Sequence, residues 1–450
     1  MSFLKNFGKT FDMTRGDEAK SIIKFAIPLA LGNVFQQVYN LADTLIVGRY
    51  VGQDALAAVG STYSLMIFIT SILIGLCIGA SVVFSKFYGR KDYVSLQKSF
   101  FMSFVLIGIT ALIINILSLV YTEPILEIIK IPKAIMDLSL TYTFTVFWGI
   151  FFVFLYNFYS GVFKSMGNST SPLVFLVLAT IINIILDLVF IISFDMGVFG
   201  AALATLIAQI FSGIGLAIAC HRSLKEINIS KENMVFEKNI ALEIVNFSSL
   251  SSIQQSVMNL GILMIQALVN SFGVTVMAGF ACAVKIDTLA YVPVQDFGNA
   301  FSTFMAQNLG AGKLDRISRG TKASFKILTL VCIPISIFVF VFAPNLMRLF
   351  LSEGGQDVID VGVNYLRIEG SFYVLIGYLF LFYGMFRGWG KPFMSIVLTI
   401  ASLGTRVGLS YGLAPNPSFG VQAIWWSIPI GWLIADIIGF IKMRKEKIIR

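Results

Sequence analysis

Two aspartates stand inside stretches that are otherwise apolar, and polar neighbours recur beside each at helical spacing. Asn33, Gln36, Asn40 and Asp43 fall at i, i+3, i+7 and i+10, which on a helix makes a single polar stripe. Thr180, Asn183 and Asp187 share one face of a second apolar stretch, the last two at i and i+4. A carboxylate at the centre of a membrane span costs about 2.5–3.5 kcal/mol even on the lenient insertion scale, so an acid there is read as functional and needs a partner. Asp43, Asp187, the amide oxygen of Asn183 and the hydroxyl of Thr205 offer oxygen ligands to a proton or to a small hard cation such as Na⁺. Close carboxylates also oppose each other's ionisation. The plainer alternative is that Asp43 caps an interfacial helix end and Asp187 bonds a neighbour.

The elements that must hold these residues follow from composition. Of 450 residues 57% are hydrophobic and 13% charged, about half the charge of a soluble chain. Apolar stretches long enough to cross a bilayer as helix run near 21–47, 55–82, 98–121, 136–162, 170–193, 197–219, 241–271, 274–303, 324–346, 362–385, 391–413 and 420–441. No run of alternating ten-residue strands, the mark of a membrane barrel, interrupts them. The expected fold is therefore an all-α polytopic membrane protein of twelve transmembrane helices. In that arrangement Asp43 lies ~6 Å, Asp187 ~9 Å and Thr205 ~12 Å from the outer ends of spans one, five and six, all at similar depth.

Charge placement sets the orientation. With the N-terminus inside, 26 of the 33 cations fall in inward segments and five (Arg49, Lys130, Lys133, Arg348, Arg367) in outward ones, leaving Lys285 and Arg406 within spans. The positive-inside rule then places both termini in the cytoplasm. The net charge of +9 is accounted for by basic loops facing anionic lipid, and no nucleic-acid partner is implied. The opening MSFLKNFGKTFDMTRGDEAK has no signal-peptide pattern, so span one is expected to target the chain to the cytoplasmic membrane. Cys77, Cys220, Cys282 and Cys332 are scattered without CxxC spacing and are read as packing residues.

Three pairs of segments repeat at nearly constant spacing: FYGRKD (87–92) with NLGAGK (308–313), GVFKSMGN (161–168) with GMFRGWGK (384–391), and MGVFGAA (196–202) with FGVQAIW (419–425). Six spans per repeat return the chain to its starting side, so the halves are expected to be parallel, pseudo-symmetric six-helix lobes, a transporter architecture. The expected division is a cytoplasmic N-terminal segment 1–20, an N-lobe 21–220, a cytoplasmic linker 221–240, a C-lobe 241–441 and a basic tail 442–450. No GxxxxGK[ST] loop is present, nor HExxH or GxSxG, and the single histidine is His221. The sequence lends no support to an ATPase or an intramembrane hydrolase, and the chain is read as a non-enzyme without a cofactor.

These stretches also carry a family likeness. FAIPLALGNVFQQVYNLADTLIVGRYVGQDALAAVG (25–60), NIILDLVFII with GVFGAALATLIAQ (183–209), AQNLGAGKLDR (306–316) and GMFRGWGKP (384–392) resemble the signatures of the multidrug and toxic compound extrusion (MATE) transporters over nearly the whole length. The resemblance implies two facing six-helix lobes, alternating access, and export of amphipathic compounds in exchange for inward-moving H⁺ or Na⁺. It places the family's N-lobe cation site on Asp43, Asn183, Asp187 and Thr205. Some members carry a second acidic site built from a Glu in span seven and an Asp in span ten; here there is no acid between Glu243 and Asp287, nor around Ile376, so coupling is assigned to the N-lobe.

Other polar groups complete the reading. Gln36 and Asn40 on span one, with Gln255 and Asn259 on span seven, are candidates to line a water-filled cavity, or to bond between helices. Lys285, Asp287, Asp296 and Arg406 are candidates for intramembrane charge pairs; Lys285 and Asp287 differ by about 200° around the helix and should not pair with each other. Pro28 removes a backbone hydrogen bond from span one and marks a hinge. Forty-two Phe and 16 Met offer ring faces and pliable surface for flat cations. The leading function is an ion-coupled drug antiporter whose partners are small amphipathic substrates and membrane lipid, acting as a monomer. A lipid-linked oligosaccharide flippase is the alternative, but its phosphates would call for several cavity cations where only Lys285 and Arg406 are on offer. A non-transporting receptor or channel subunit fits poorly with duplicated lobes and buried acids.

Overall fold

In an apolar medium every backbone N–H and C=O must be paired within its own segment or a closed sheet, and this chain resolves that demand with helices. A computed structural model describes residues 8–224, 230–349 and 355–449; Lys5, Lys225 and Arg450 of the expected terminal segments and linker lie outside them. Among the described residues there are fifteen α-helices: α1 (Glu18–Tyr50), α2 (Gln53–Arg90), α3 (Tyr93–Val120), α4 (Thr122–Ile128), α5 (Met136–Phe147), α6 (Ile150–Ser165), α7 (Thr170–Leu188), α8 (Gly197–Ser223), α9 (Lys238–Asn270), α10 (Val274–Gly310), α11 (Leu314–Arg348), α12 (Gln356–Gly370), α13 (Tyr373–Gly388), α14 (Pro392–Leu413) and α15 (Gly420–Lys445). Nine helices are long and apolar enough to cross a membrane, and the bent pairs α5–α6 and α12–α13 raise the number to eleven. The remaining expected span is α1, whose 33 residues rise ~50 Å.

The two bends are departures from the continuous spans expected at 136–162 and 362–385. The axis turns by 42° between α5 and α6 and by 55° between α12 and α13. An unbroken apolar run carries no trace of such a break; at the first, Gly149 leaves room for the Gln209 side chain, which an added Cβ would overlap.

The repeat is written into the backbone. Left-handed residues recur at Gly52 and Gly273, at Lys91 and Gly312, at Gly167 and Gly390, and at Gly197 and Gly420, at the same offsets as the sequence anchors. These turns end or begin corresponding helices in each half, where a residue without a Cβ meets no steric penalty.

The chain forms two compact units: Met1–Asp12 with Leu31–Ser252, and Met13–Ala30 with Ile253–Arg450. The first helix of each repeat is thus shared out, α1 after Ala30 and α9 after Ser252. In the first unit Ile46, Val47, Val59, Tyr142, Val146 and Val198 form a core joining α1, α2, α5 and α8. In the second, Phe280 stacks on Trp425 at 5.3 Å with Tyr365 edge-on, and α10 and α13 approach through Gly298 and Gly384. Leu330, Ile337 and Val341 on α11 stay exposed, as a face meeting lipid requires.

The close approach generates a stability prediction. A Cβ at Gly384 would overlap the Gly298 carbonyl, whereas one at Gly408 would meet nothing within 4 Å. Gly384→Ala is expected to destabilise the protein by about 1–3 kcal/mol through overpacking, read as a lowered apparent Tm in detergent, while Gly408→Ala leaves Tm unchanged.

Candidate functional site

The second half of α1 carries Asp43, α7 carries Asn183 and Asp187, and α8 carries Thr205; all belong to the first unit. Each side chain is buried, with Asn183 and Asp187 fully so. In one amide orientation Asn183 Nδ2 donates to Thr205 Oγ1 at 3.5 Å. The reversed orientation satisfies more atoms, since Asn183 then donates to Asp187 Oδ2 at 3.1 Å and accepts from the Thr205 backbone N–H at 3.3 Å. Tyr39 donates its hydroxyl proton to Thr205 Oγ1 at 3.2 Å. Asp43 and Asp187 interact electrostatically, and each keeps one buried Oδ1 without a hydrogen-bond partner. A proton or a bound cation would satisfy those oxygens; two bare carboxylates in an apolar interior would not coexist. Directly after Asp187 the helix widens into a π-turn, Val189–Ser193, an irregularity frequent at functional sites.

Other expected residues divide between the units. Asn40 is half-buried and donates to the Tyr63 hydroxyl at 3.4 Å, and Gln36 beside it is half-buried. Thr180 donates to Leu176 O within its own helix at 2.9 Å. On α9, Ser252 donates to Ile72 O at 3.1 Å, while Gln255 and Asn259 are half-buried members of the second unit. Pro28 lies in α1 two residues before the division at Ala30.

The intramembrane charges arrange themselves differently from the sequence expectation. Asp287 is buried near Arg406 and Glu369 of α12 and feels the charge of both, but no hydrogen bond joins Asp287 Oδ1 or Arg406 Nε to a partner. Tyr373 and Tyr365 lie beside Asp287 and Glu369, the Tyr373 hydroxyl buried without a hydrogen-bond partner. Lys285 is exposed, because the helical twist that separates it from Asp287 turns it outward. Asp296, one side of the helix further on, is buried. Asp287 Oδ1, Glu369 Oε2 and Arg406 Nε are each buried without a hydrogen-bond partner.

Sequence reasoning missed Tyr39, Tyr142 and Glu369. Tyr39 stands one turn before Asp43, and the i, i+4 spacing was available. Tyr142 interacts with both Asp43 and Asp187 but comes from α5, where no periodic signal points to it.

The chain resembles known membrane transporters over nearly its whole length. A sequence model of the MatE family matches the chain twice, over residues 28–189 and 250–412. The probable multidrug resistance protein YpnP of Bacillus subtilis is 30% identical over 88% of this chain and 88% of its own length. The FAD transporter of Shewanella oneidensis is 26% identical, with 92% of each chain covered. Among solved structures, a MOP superfamily transporter from Pyrococcus furiosus superimposes with a TM-score of 0.91 at 26% identity, covering 97% of this chain and 98% of that one.

Removing the guanidinium would leave Asp287 and Glu369 buried together without a cation. Arg406→Leu is expected to cost about 3–5 kcal/mol of stability, and adding Glu369→Gln should recover much of it. Thermal unfolding of the purified single and double variants checks both, with Lys285→Gln as the unaffected comparison.

Proposed function

Because the chain belongs to the MatE family, and is therefore a multi-pass membrane transporter and not an enzyme, we propose that it exports amphipathic, cationic drugs or toxic compounds in exchange for inward-moving H⁺ or Na⁺. The carrying observation is the pair Asp43 and Asp187, buried in one unit with an unpartnered oxygen each beside Asn183 and Thr205. An ion drives export only if it favours one arrangement of the protein over the other, since a ligand shifts a two-state equilibrium by its differential affinity alone. Neutralising the two carboxylates lets α1 and α7 close upon each other; with the ion gone, their repulsion opens the site. Pro28, lacking an N–H, supplies the bend in α1. The membrane potential adds ~2.3 kcal/mol per charge per 100 mV if the charge crosses the full field. The setting is the cytoplasmic membrane with both termini inside, and the working unit is a monomer without a cofactor.

A second reading has one observation behind it: a relative is named for FAD, an anionic dinucleotide. On that reading the substrate is anionic, and FAD would collect outside cells that express the chain. The lipid-linked oligosaccharide alternative is weaker, because Lys285 is exposed and Arg406 is engaged with acids.

The test is dye efflux from everted vesicles. Asp43→Asn and Asp187→Asn should each insert at wild-type levels yet lose coupled transport by at least tenfold, about 1.4 kcal/mol; wild-type drug resistance in either variant at equal expression would refute the assignment. In purified protein the coupling ion should weaken drug binding, so drug affinity is measured against Na⁺ concentration and against pH from about 5 to 8, a window that brackets perturbed carboxylates. Unchanged affinity in both series would remove the proposed competition.

A further inference from the structure

α15 carries an acid that neither the coupling site nor the Asp287 cluster uses. Asp436 is 2% exposed, and both of its carboxylate oxygens are buried without a hydrogen-bond partner. It sits on the face of α15 that also buries Trp425, Trp432 and Gly439, with Gly439 pressed against the Phe382 ring. An ionised carboxylate cannot be held there without a counter-charge.

α15 packs against α12, α13 and α14, and its Trp425 and Phe440 also meet Phe280 of α10 and Phe325 of α11, two helices whose Lys285, Lys322 and Lys326 are exposed. From α13, Tyr383 interacts electrostatically with Asp436 and with Arg387. Arg387 is itself buried and committed elsewhere, its Nε donating to Tyr383 O at 3.2 Å and its Nη2 to Asn299 Oδ1 at 2.9 Å. From α14 come Ser395 and Thr399, whose hydroxyl protons are spent on Tyr383 O at 3.1 Å and Ser395 O at 2.8 Å. The charges of α12 and α14 at Glu369 and Arg406 belong to the Asp287 cluster. A metal ion would call for several oxygen ligands, and no group of three or more acids, histidines or cysteines suited to a metal ion occurs among the described residues. A proton needs only the carboxyl.

We propose that Asp436 is an exchangeable proton site of the second unit, separate from Asp43 and Asp187, which takes up a proton in one state of the transport cycle and releases it in another. Asp436 stands nine residues, ~14 Å along the helix, from the basic end of α15 at Lys445. This goes beyond the coupling assignment and does not depend on it.

The test is infrared spectroscopy of the purified full chain combined with transport. In an Asp43→Asn/Asp187→Asn background, a protonated-carboxyl band is expected that deuterium shifts, that Asp436→Asn abolishes and that Tyr383→Phe moves in frequency. In the otherwise wild-type chain reconstituted in vesicles, Asp436→Asn should shift the pH dependence of dye transport while leaving the part carried by Asp43 and Asp187, and Asp436→Glu should retain the wild-type profile. Absence of a band assignable to Asp436 would overturn the proposal. So would a band together with wild-type transport and pH profile in Asp436→Asn, for the acid would then be a permanently neutral packing group. Because the band is read without substrate, failure of drug export leaves this test standing.

Discussion

A charge in hydrocarbon has no water to stabilise it, and each ionisable group inside this protein must be neutralised, paired or turned outward. The helices obey the same rule at the level of the backbone. Most of the protein meets it by avoidance, with cations collected in the loops and apolar side chains exposed on the outer faces of helices such as α11. What remains is a short set of exceptions that includes Asp43 with Asp187, Asp287 with Glu369 and Arg406, Asp296, Arg387 and Asp436. Their cost is what makes them informative, since packing alone would have removed them.

The two repeats share their backbone but not their chemistry. Turns with positive φ and the breaks after α5 and α12 recur at a nearly fixed offset, so the duplicated geometry has been kept. The first unit sets two acids against each other with amide and hydroxyl groups around them, an arrangement that asks for a cation from outside. The second places a guanidinium among its acids and so carries an internal cation. The two halves thus differ in whether a guanidinium stands among their buried acids.

Much of this was legible in the sequence, and the failures have physical causes. Span positions followed from hydropathy because membrane helices must be apolar throughout. Asp43, Asn183 and Asp187 stood out as candidates because their polar neighbours repeat at helical spacing, and Thr205 through its depth in span six and the family resemblance. Asp436 has no polar residue at three or four positions to either side, only Trp432, Leu433, Gly439 and Phe440; its surroundings come from α13 and α14, and no pattern within α15 announces it. Glu369 was passed over because it ends α12 just before a bend that an apolar run does not reveal. The sharing of α1 and α9 between units is equally silent, since the chain gives no sign at residues 30 and 252 of which neighbours a helix will choose.

That sharing has a bearing on how the protein is made. Met13 donates to Gln307, which follows it by 294 residues. The carbonyls of Met13 and Thr14 are held by Asn308 and Lys313, and Glu18 by Arg316 and Arg319. At about 5–20 residues per second, a ribosome needs roughly 15–60 s to deliver those partners. The start of α9 meets no such delay, for α2, on which Ser252 rests, already exists when it emerges. Residues 13–18 therefore leave the ribosome well before their partners do, and until then their hydrogen-bonding groups depend on lipid headgroups, water or the translocation machinery.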